Sequence, residues 1–126
     1  MNFQIKVDLL NAANILESGG WGQGGYIISG DPEDSTYCYC AAGSILRAVG
    51  IPPENIDADD YTGTIEQEDR YEKAMDALGT SLGLYESANP FSWADWNRIV
   101  PTWNDSPDQT AENVIASMRK VAGELK

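Results

Sequence analysis

The chain has 126 residues and a mass of 13.7 kDa, a length at which one domain around one hydrophobic core is expected. Eight basic against twenty acidic residues give a net charge of −12, which argues against nucleic acid as a ligand, because binding to a phosphate backbone depends on Lys and Arg. With no His and two Cys, the chain cannot build a Ser–His or Cys–His catalytic pair, and we expect neither a metal nor a cofactor.

The beginning of the chain, MNFQIKVDLLNAANILESGG, lacks the basic region, apolar region and cleavage site of a secretory signal. No apolar run in the sequence is long enough to span a membrane. We therefore expect a soluble cytoplasmic protein with no membrane contact.

The apolar spacing in the first twenty residues predicts a helix over 5–17, carried by Ile5, Leu9, Ala12, Ala13 and Leu16. The glycine-rich stretch WGQGGYIISGDPEDS then predicts a loop, in which glycine permits positive φ around Trp21 and Gln23. Tyr26, Ile27 and Ile28 favour one short strand but not a sheet.

A second helix is predicted over 36–49, with Asp34 or Ser35 as its N-cap. It is apolar nearly all round, so we expect it to be central, and Gly43 in its interior indicates the close approach of another element. The thiols of Cys38 and Cys40 would diverge on this helix, and we expect both to be buried as small apolar groups.

A third helix is predicted over 65–82, opened by a capping box of Thr64 and Gln67. A short helix over 93–99, capped by Ser92, should be stopped by Pro101. The last helix should begin at Asp108 or Thr110. The predicted fold is therefore mainly α: a compact single-domain bundle of four to five helices over residues 1–126, with at most a short β segment.

The acidic residues are concentrated in one part of the chain. Residues 31–76 hold twelve acids and three bases, a net charge of −9, and the third helix should display many of the acids on its surface. Such a field attracts a basic protein, although it also serves solubility. The predicted partner-binding residues are Asp57, Asp59, Asp60, Glu66, Glu68, Asp69, Glu72 and Asp76.

Three sequence blocks stand out: Trp21-Gly22-Gln23-Gly24, the run from Cys40 to Ala48, and Trp103-Asn104-Asp105 with Thr110 downstream. Together they resemble a domain-of-unknown-function family of small bacterial and bacteriophage proteins with W-x-Q-G, C-A-x-G-A-[IL] and W-N-D motifs. Ser44, the acidic 54–76 segment and the Tyr-Cys-Tyr-Cys sequence depart from that pattern. The resemblance implies a shared fold and a prokaryotic or viral cytoplasmic setting, and it implies no mechanism.

The resemblance also implies that residues of the three blocks meet in space. They would form a small-ligand pocket or, as we prefer, a buried polar network, because buried amides and carboxylates must be paired. The residues of this second candidate site are Trp21, Gln23, Cys40, Trp103, Asn104 and Asp105.

The sequence supports two main functional hypotheses. The first is a small, acidic, non-enzymatic interaction protein that binds, and in doing so can inhibit, a basic host protein. The alternative is a small-ligand-binding or enzymatic domain in which a carboxylate or a thiol beside Trp21 and Trp103 would transfer protons. A third hypothesis, a structural phage component, would require homo-oligomers, and the sequence does not predict the oligomeric state.

Overall fold

The computed structural model describes residues 2–29, 37–57, 60–84 and 96–125. In chain order the elements are helix α1 (Asn2–Gly19), strands β1 (Ile27–Ser29) and β2 (Tyr37–Tyr39), helix α2 (Ala41–Ala48), a 3-10 turn (Pro53–Asn55), and helices α3 (Ile65–Ser81), α4 (Trp96–Asn104) and α5 (Ala111–Glu124). The mainly α class with four to five helices is confirmed. In the described part of the chain, no helix has the length and apolar character needed to cross a bilayer.

The segment before α2 is a strand, so the helix predicted over 36–49 is wrong at its start. Tyr37–Tyr39 pairs antiparallel with β1, and this two-stranded sheet also corrects the expectation of a strand without a sheet. The Tyr39 amide donates to the Gly20 carbonyl and its own carbonyl accepts from Gly22, which occupies the groups that a helix would use. The predicted caps Asp34 and Ser35 lie outside the described residues.

Helix α4 corrects the expectation that Pro101 ends a helix. The helix runs through Pro101 to Asn104, although an interior proline removes one backbone hydrogen bond and costs about 3 kcal/mol. Val100 and Asn104 lie four residues apart on one face and both are fully buried, so tertiary packing outweighs the local cost. The predicted cap Ser92 and residues 93–95 lie outside the described residues.

Helices α3 and α5 begin with predicted caps. Thr64 and Gln67 form the capping box of α3: the Thr64 hydroxyl accepts from the Gln67 amide, and the Gln67 side chain accepts from the Thr64 amide. Thr110 caps α5 by accepting from the Asn113 amide at 3.1 Å. The predicted first helix over 5–17 lies within α1.

Helix α1 packs against α2, α3 and α5 and supplies much of the core. Its one buried charge, Asp8, faces α3, where Arg70 binds the carboxylate through both Nε (3.1 Å) and Nη2 (2.6 Å). The Gln4 side-chain amide donates to the same carboxylate at 2.9 Å. A buried charge requires such pairing, and this pairing joins α1 to α3.

Gly43 allows the segment entering β1 to lie directly on α2, and the close approach of another element at this glycine agrees with the prediction from the sequence. A Cβ atom at this position would lie 1.8 Å from the Tyr26 carbonyl oxygen, which is backbone and cannot turn away. Only glycine therefore permits the observed contact between the segment entering β1 and the first turn of α2.

Gly43→Ala is therefore expected to destabilise the protein by about 3 kcal/mol or more, as overpacking that requires backbone movement does. Gly123→Ala in α5 is the matched control, because a Cβ atom added there would have no neighbour within 4 Å. The control should gain up to about 1 kcal/mol in helix propensity. Urea unfolding of both variants measures the difference, and equal stabilities would contradict the packing argument.

Candidate functional site

The side chain of Asn104 joins three separate segments of the chain. Its Oδ1 accepts hydrogen bonds from the Trp21 indole N–H (2.7 Å) and the Ala41 backbone amide (2.9 Å). Its Nδ2 donates to the Gly22 carbonyl (3.1 Å) and to Oδ1 of Asp105 (3.0 Å). Asn104 is fully buried at the end of α4, and these four bonds compensate the loss of water.

The loop after α1 is held to the end of α4 by three further hydrogen bonds. The Gln23 side-chain amide donates to the backbone carbonyls of Asn104 (3.1 Å) and Ser106 (2.8 Å). The Gly24 amide donates to Oδ1 of Asp105 at 3.1 Å. The same loop residues that form the W-x-Q-G block thus bind the W-N-D block directly.

Glycine gives this loop its shape, as predicted. Gly20 ends α1 with φ of 108°, and Gly24 has φ of 98°, values that other L-residues rarely adopt. Between them, Trp21 forms an isolated parallel bridge with Tyr39, which aligns the loop with β2. The loop conformation follows from two local glycines and one backbone pairing.

Cys40 is the N-cap of α2. Its Sγ accepts from the Gly43 amide at 3.3 Å, and the residue is 3% exposed. Burial raises the pKa of the Cys40 thiol to about 11, so the thiolate needed for nucleophilic chemistry is not formed near neutral pH. Cys40 is buried as expected, whereas Cys38 is half-buried; both thiols are free.

The structure brings together Trp21, Gln23, Asn104 and Asp105, with Cys40 preceding the Ala41 amide that Asn104 binds. The donor of Trp21 and both donors of Asn104 are occupied within the protein. These contacts have the form of a structural polar network.

Trp103, the remaining residue of this set, packs its half-buried side chain against the core. Its carbonyl accepts from the Gln109 side chain at 3.0 Å. It therefore supports the turn between α4 and α5 through its backbone, and the hydrogen bonds described around Asn104 do not involve its ring.

The predicted acidic residues that the structure describes lie on the surface. Asp57 and Asp60 are exposed, and Asp59 lies outside the described residues. The α3 members of the set are all exposed: Glu66, Glu68, Asp69, Glu72 and Asp76. Over residues 2–29, 37–57, 60–84 and 96–125, no group of three His, Cys, Asp or Glu side chains could hold a metal ion.

A tyrosine cluster beside the acidic helix is a feature that sequence analysis missed. The rings of Tyr61 and Tyr71 meet edge-to-face at 5.2 Å between centroids, and those of Tyr26 and Tyr61 at 6.1 Å. Burial, followed by the charge of Glu68, raises the pKa of Tyr61 to about 12. Tyr26 lies in the predicted strand and Tyr71 in the predicted third helix. No local sequence pattern indicates that Tyr61 contacts both of them.

A comparison with protein families matches residues 4–124 to a family described as a family of unknown function (DUF6197). The match covers nearly the whole chain, and the chain belongs to this family. Comparisons with curated proteins and with solved structures found no match.

Asn104→Asp should destabilise the fold by about 3 kcal/mol or more at neutral pH, since it places a charged oxygen against the Gly22 carbonyl and the Asp105 carboxylate. The new carboxyl group should have a raised pKa in the folded state. The loss of stability should therefore be smallest below about pH 4, where the new carboxyl group is protonated in the unfolded chain as well. It should grow as pH rises.

Asn14→Asp is the control for this substitution, because Asn14 is exposed and its oxygen already accepts from Arg119. It should leave stability within about 0.5 kcal/mol of the wild type. Denaturant unfolding between pH 4 and pH 8 tests both variants, and a pH-independent loss at position 104 would contradict the assigned hydrogen bonds.

Thiol labelling should distinguish the two cysteines. At pH 8 the native protein should react rapidly at Cys38 only, because Cys40 is buried and its thiol pKa is raised to about 11. A colorimetric disulfide reagent should thus titrate one thiol natively and both in denaturant. Cys38→Ser should abolish the rapid phase, and rapid labelling of that variant would show that Cys40 is accessible.

Proposed function

We propose that this member of the family is a small, acidic, non-enzymatic interaction protein that binds a basic protein through the exposed carboxylates of α3. The observation that carries the proposal is a stripe of three acids, Glu68, Glu72 and Asp76, which we call the acidic stripe. Their spacing of four residues puts them on one helix face, and all three are exposed.

The acidic stripe has no compensating base within the described residues. The two bases of α3 are engaged elsewhere: Arg70 binds the buried Asp8, and Lys73 pairs with Asp69 at 2.8 Å. Like charges four residues apart destabilise a helix by about 0.2–0.5 kcal/mol per pair. A basic partner would relieve this repulsion on binding.

The surroundings of the acidic stripe extend its field and add an apolar contact. Asp57, Asp60 and Glu66 are exposed nearby in the chain, and the charges of Glu68 and Glu72 contribute to the raised pKa of Tyr61. Ile65, three residues before Glu68, is 86% exposed. A field of one sign steers a basic protein to this face, and an apolar group at its edge would add to contact once the partner has docked.

The alternative small-ligand function is less well supported by the described contacts. The polar groups that would recognise a ligand around Asn104 bind one another, and the raised thiol pKa of Cys40 makes it a poor nucleophile. We retain a bacterial or bacteriophage cytoplasm as the proposed setting, on the strength of the motif resemblance. Inhibition would follow if the basic surface that is covered were the partner's own binding site.

Affinity capture from a bacterial lysate tests the proposal with two variants of equal charge. Glu68→Gln/Glu72→Gln removes two members of the acidic stripe, and Asp108→Asn/Glu124→Gln removes two exposed acids near the ends of α5; each changes the net charge from −12 to −10. We expect the wild type and the α5 variant to retain the same basic protein. The stripe variant should bind this basic protein about tenfold more weakly, and its affinity should depend less on salt concentration.

Capture should be carried out at low and at moderate salt, and the affinity for the purified partner measured afterwards. Equal loss in both variants would mean that only net charge matters. Recovery of no basic protein at either salt concentration would contradict the proposed function.

A further inference from the structure

A groove of about 670 Å³ lies between the end of α1 and the first half of α5, and it shares only Trp21 with the polar network. Its volume is within the range of small-molecule sites, about 300–1,000 Å³. The lining residues are Leu16, Gly20, Trp21, Ala111, Ile115 and Ala116, with the charged Glu17, Glu112 and Arg119. The groove is thus mainly apolar with few charged groups.

Trp21 connects the groove to the polar network but contributes no hydrogen-bond donor to it. The indole N–H donates to Oδ1 of Asn104 at 2.7 Å, and this hydrogen bond fixes the orientation of the ring. What Trp21 can offer to the groove is its aromatic surface, which binds apolar groups and attracts cations. A pre-fixed ring also loses little conformational freedom when a ligand binds.

The charges of the groove favour a cation. The Arg119 guanidinium is bound by the Glu17 carboxylate at 2.7 Å and by Asn14 at 3.1 Å, and this pairing lowers the pKa of Glu17. Glu112 is exposed and forms no ion pair with another described residue. The lining therefore carries one negative charge without an ion-pair partner among the described residues, in a chain whose net charge is −12.

We propose that this groove binds an amphipathic organic cation, with its apolar body on Trp21 and Ile115 and its cationic group beside Glu112. The site is separate from the acidic stripe and does not depend on the proposed protein partner. It also differs from the expected ligand pocket around Asn104, because it shares only Trp21 with that set.

Three probes with one naphthalene ring and different charges test the proposal: naphthylmethylammonium, naphthalenemethanol and naphthaleneacetate. Binding is followed by ligand-observed NMR and by the chemical shift of the Trp21 indole N–H in ¹⁵N-labelled protein. We expect the cation to bind most tightly and the anion most weakly. The Trp21 signal should shift on binding.

Variants then locate the site. Ala116→Trp fills the groove at an exposed helix position and should abolish binding of all three probes. Glu112→Gln should weaken binding of the cation about threefold and leave the affinity for the neutral probe unchanged. Glu124→Gln is the matched control, since it removes an exposed acid of the same helix outside the groove and should change nothing.

Several outcomes would overturn the proposal. These are absence of binding by all three probes at millimolar concentration, equal or tighter binding of the anion, and binding that survives Ala116→Trp. Probe affinity that falls as the protein concentration rises would instead show that a second copy of the chain covers the groove. Circular dichroism of each variant separates these results from a failure to fold.

Discussion

The buried amide of Asn104 is the interaction on which the arrangement of this molecule depends. An amide without water must find partners for two donors and one acceptor, and Asn104 finds them in the loop after α1, at the start of α2 and in the next residue. Each segment is therefore fixed relative to the end of α4. Loss of the Asp105 carboxylate, for example, would leave one N–H of the buried amide unsatisfied, which is costlier than the bond itself.

The side chains of Trp21, Gln23, Asn104 and Asp105 form hydrogen bonds with one another or with the backbone, and these bonds support the shape of the molecule. The two surfaces that we propose for recognition differ in chemistry: they are the acidic stripe of α3 and the groove lined in part by Trp21. We propose a basic protein as the partner of the first surface and a small amphipathic cation as the ligand of the second.

Local features of the fold could be predicted because their causes are local. The capping box of Thr64 and Gln67 and the cap of Thr110 depend on residues three positions apart. Gly43 could be identified as a contact point because glycine is unfavourable inside a helix without a reason. The meeting of the W-x-Q-G and W-N-D blocks was anticipated only through the family resemblance, and no periodicity in the sequence indicates it.

The sequence by itself determined the mainly α class, most helix positions and the acidic surface of α3, since periodicity, capping and charge act over a few residues. Tertiary structure decided that Tyr37–Tyr39 is a strand, that α4 continues through Pro101, and that Asn104 binds Trp21. In each case a contact between distant residues outweighs a local preference, as in the bond that joins positions 83 residues apart. The groove is likewise a product of packing, because its walls come from the two ends of the chain.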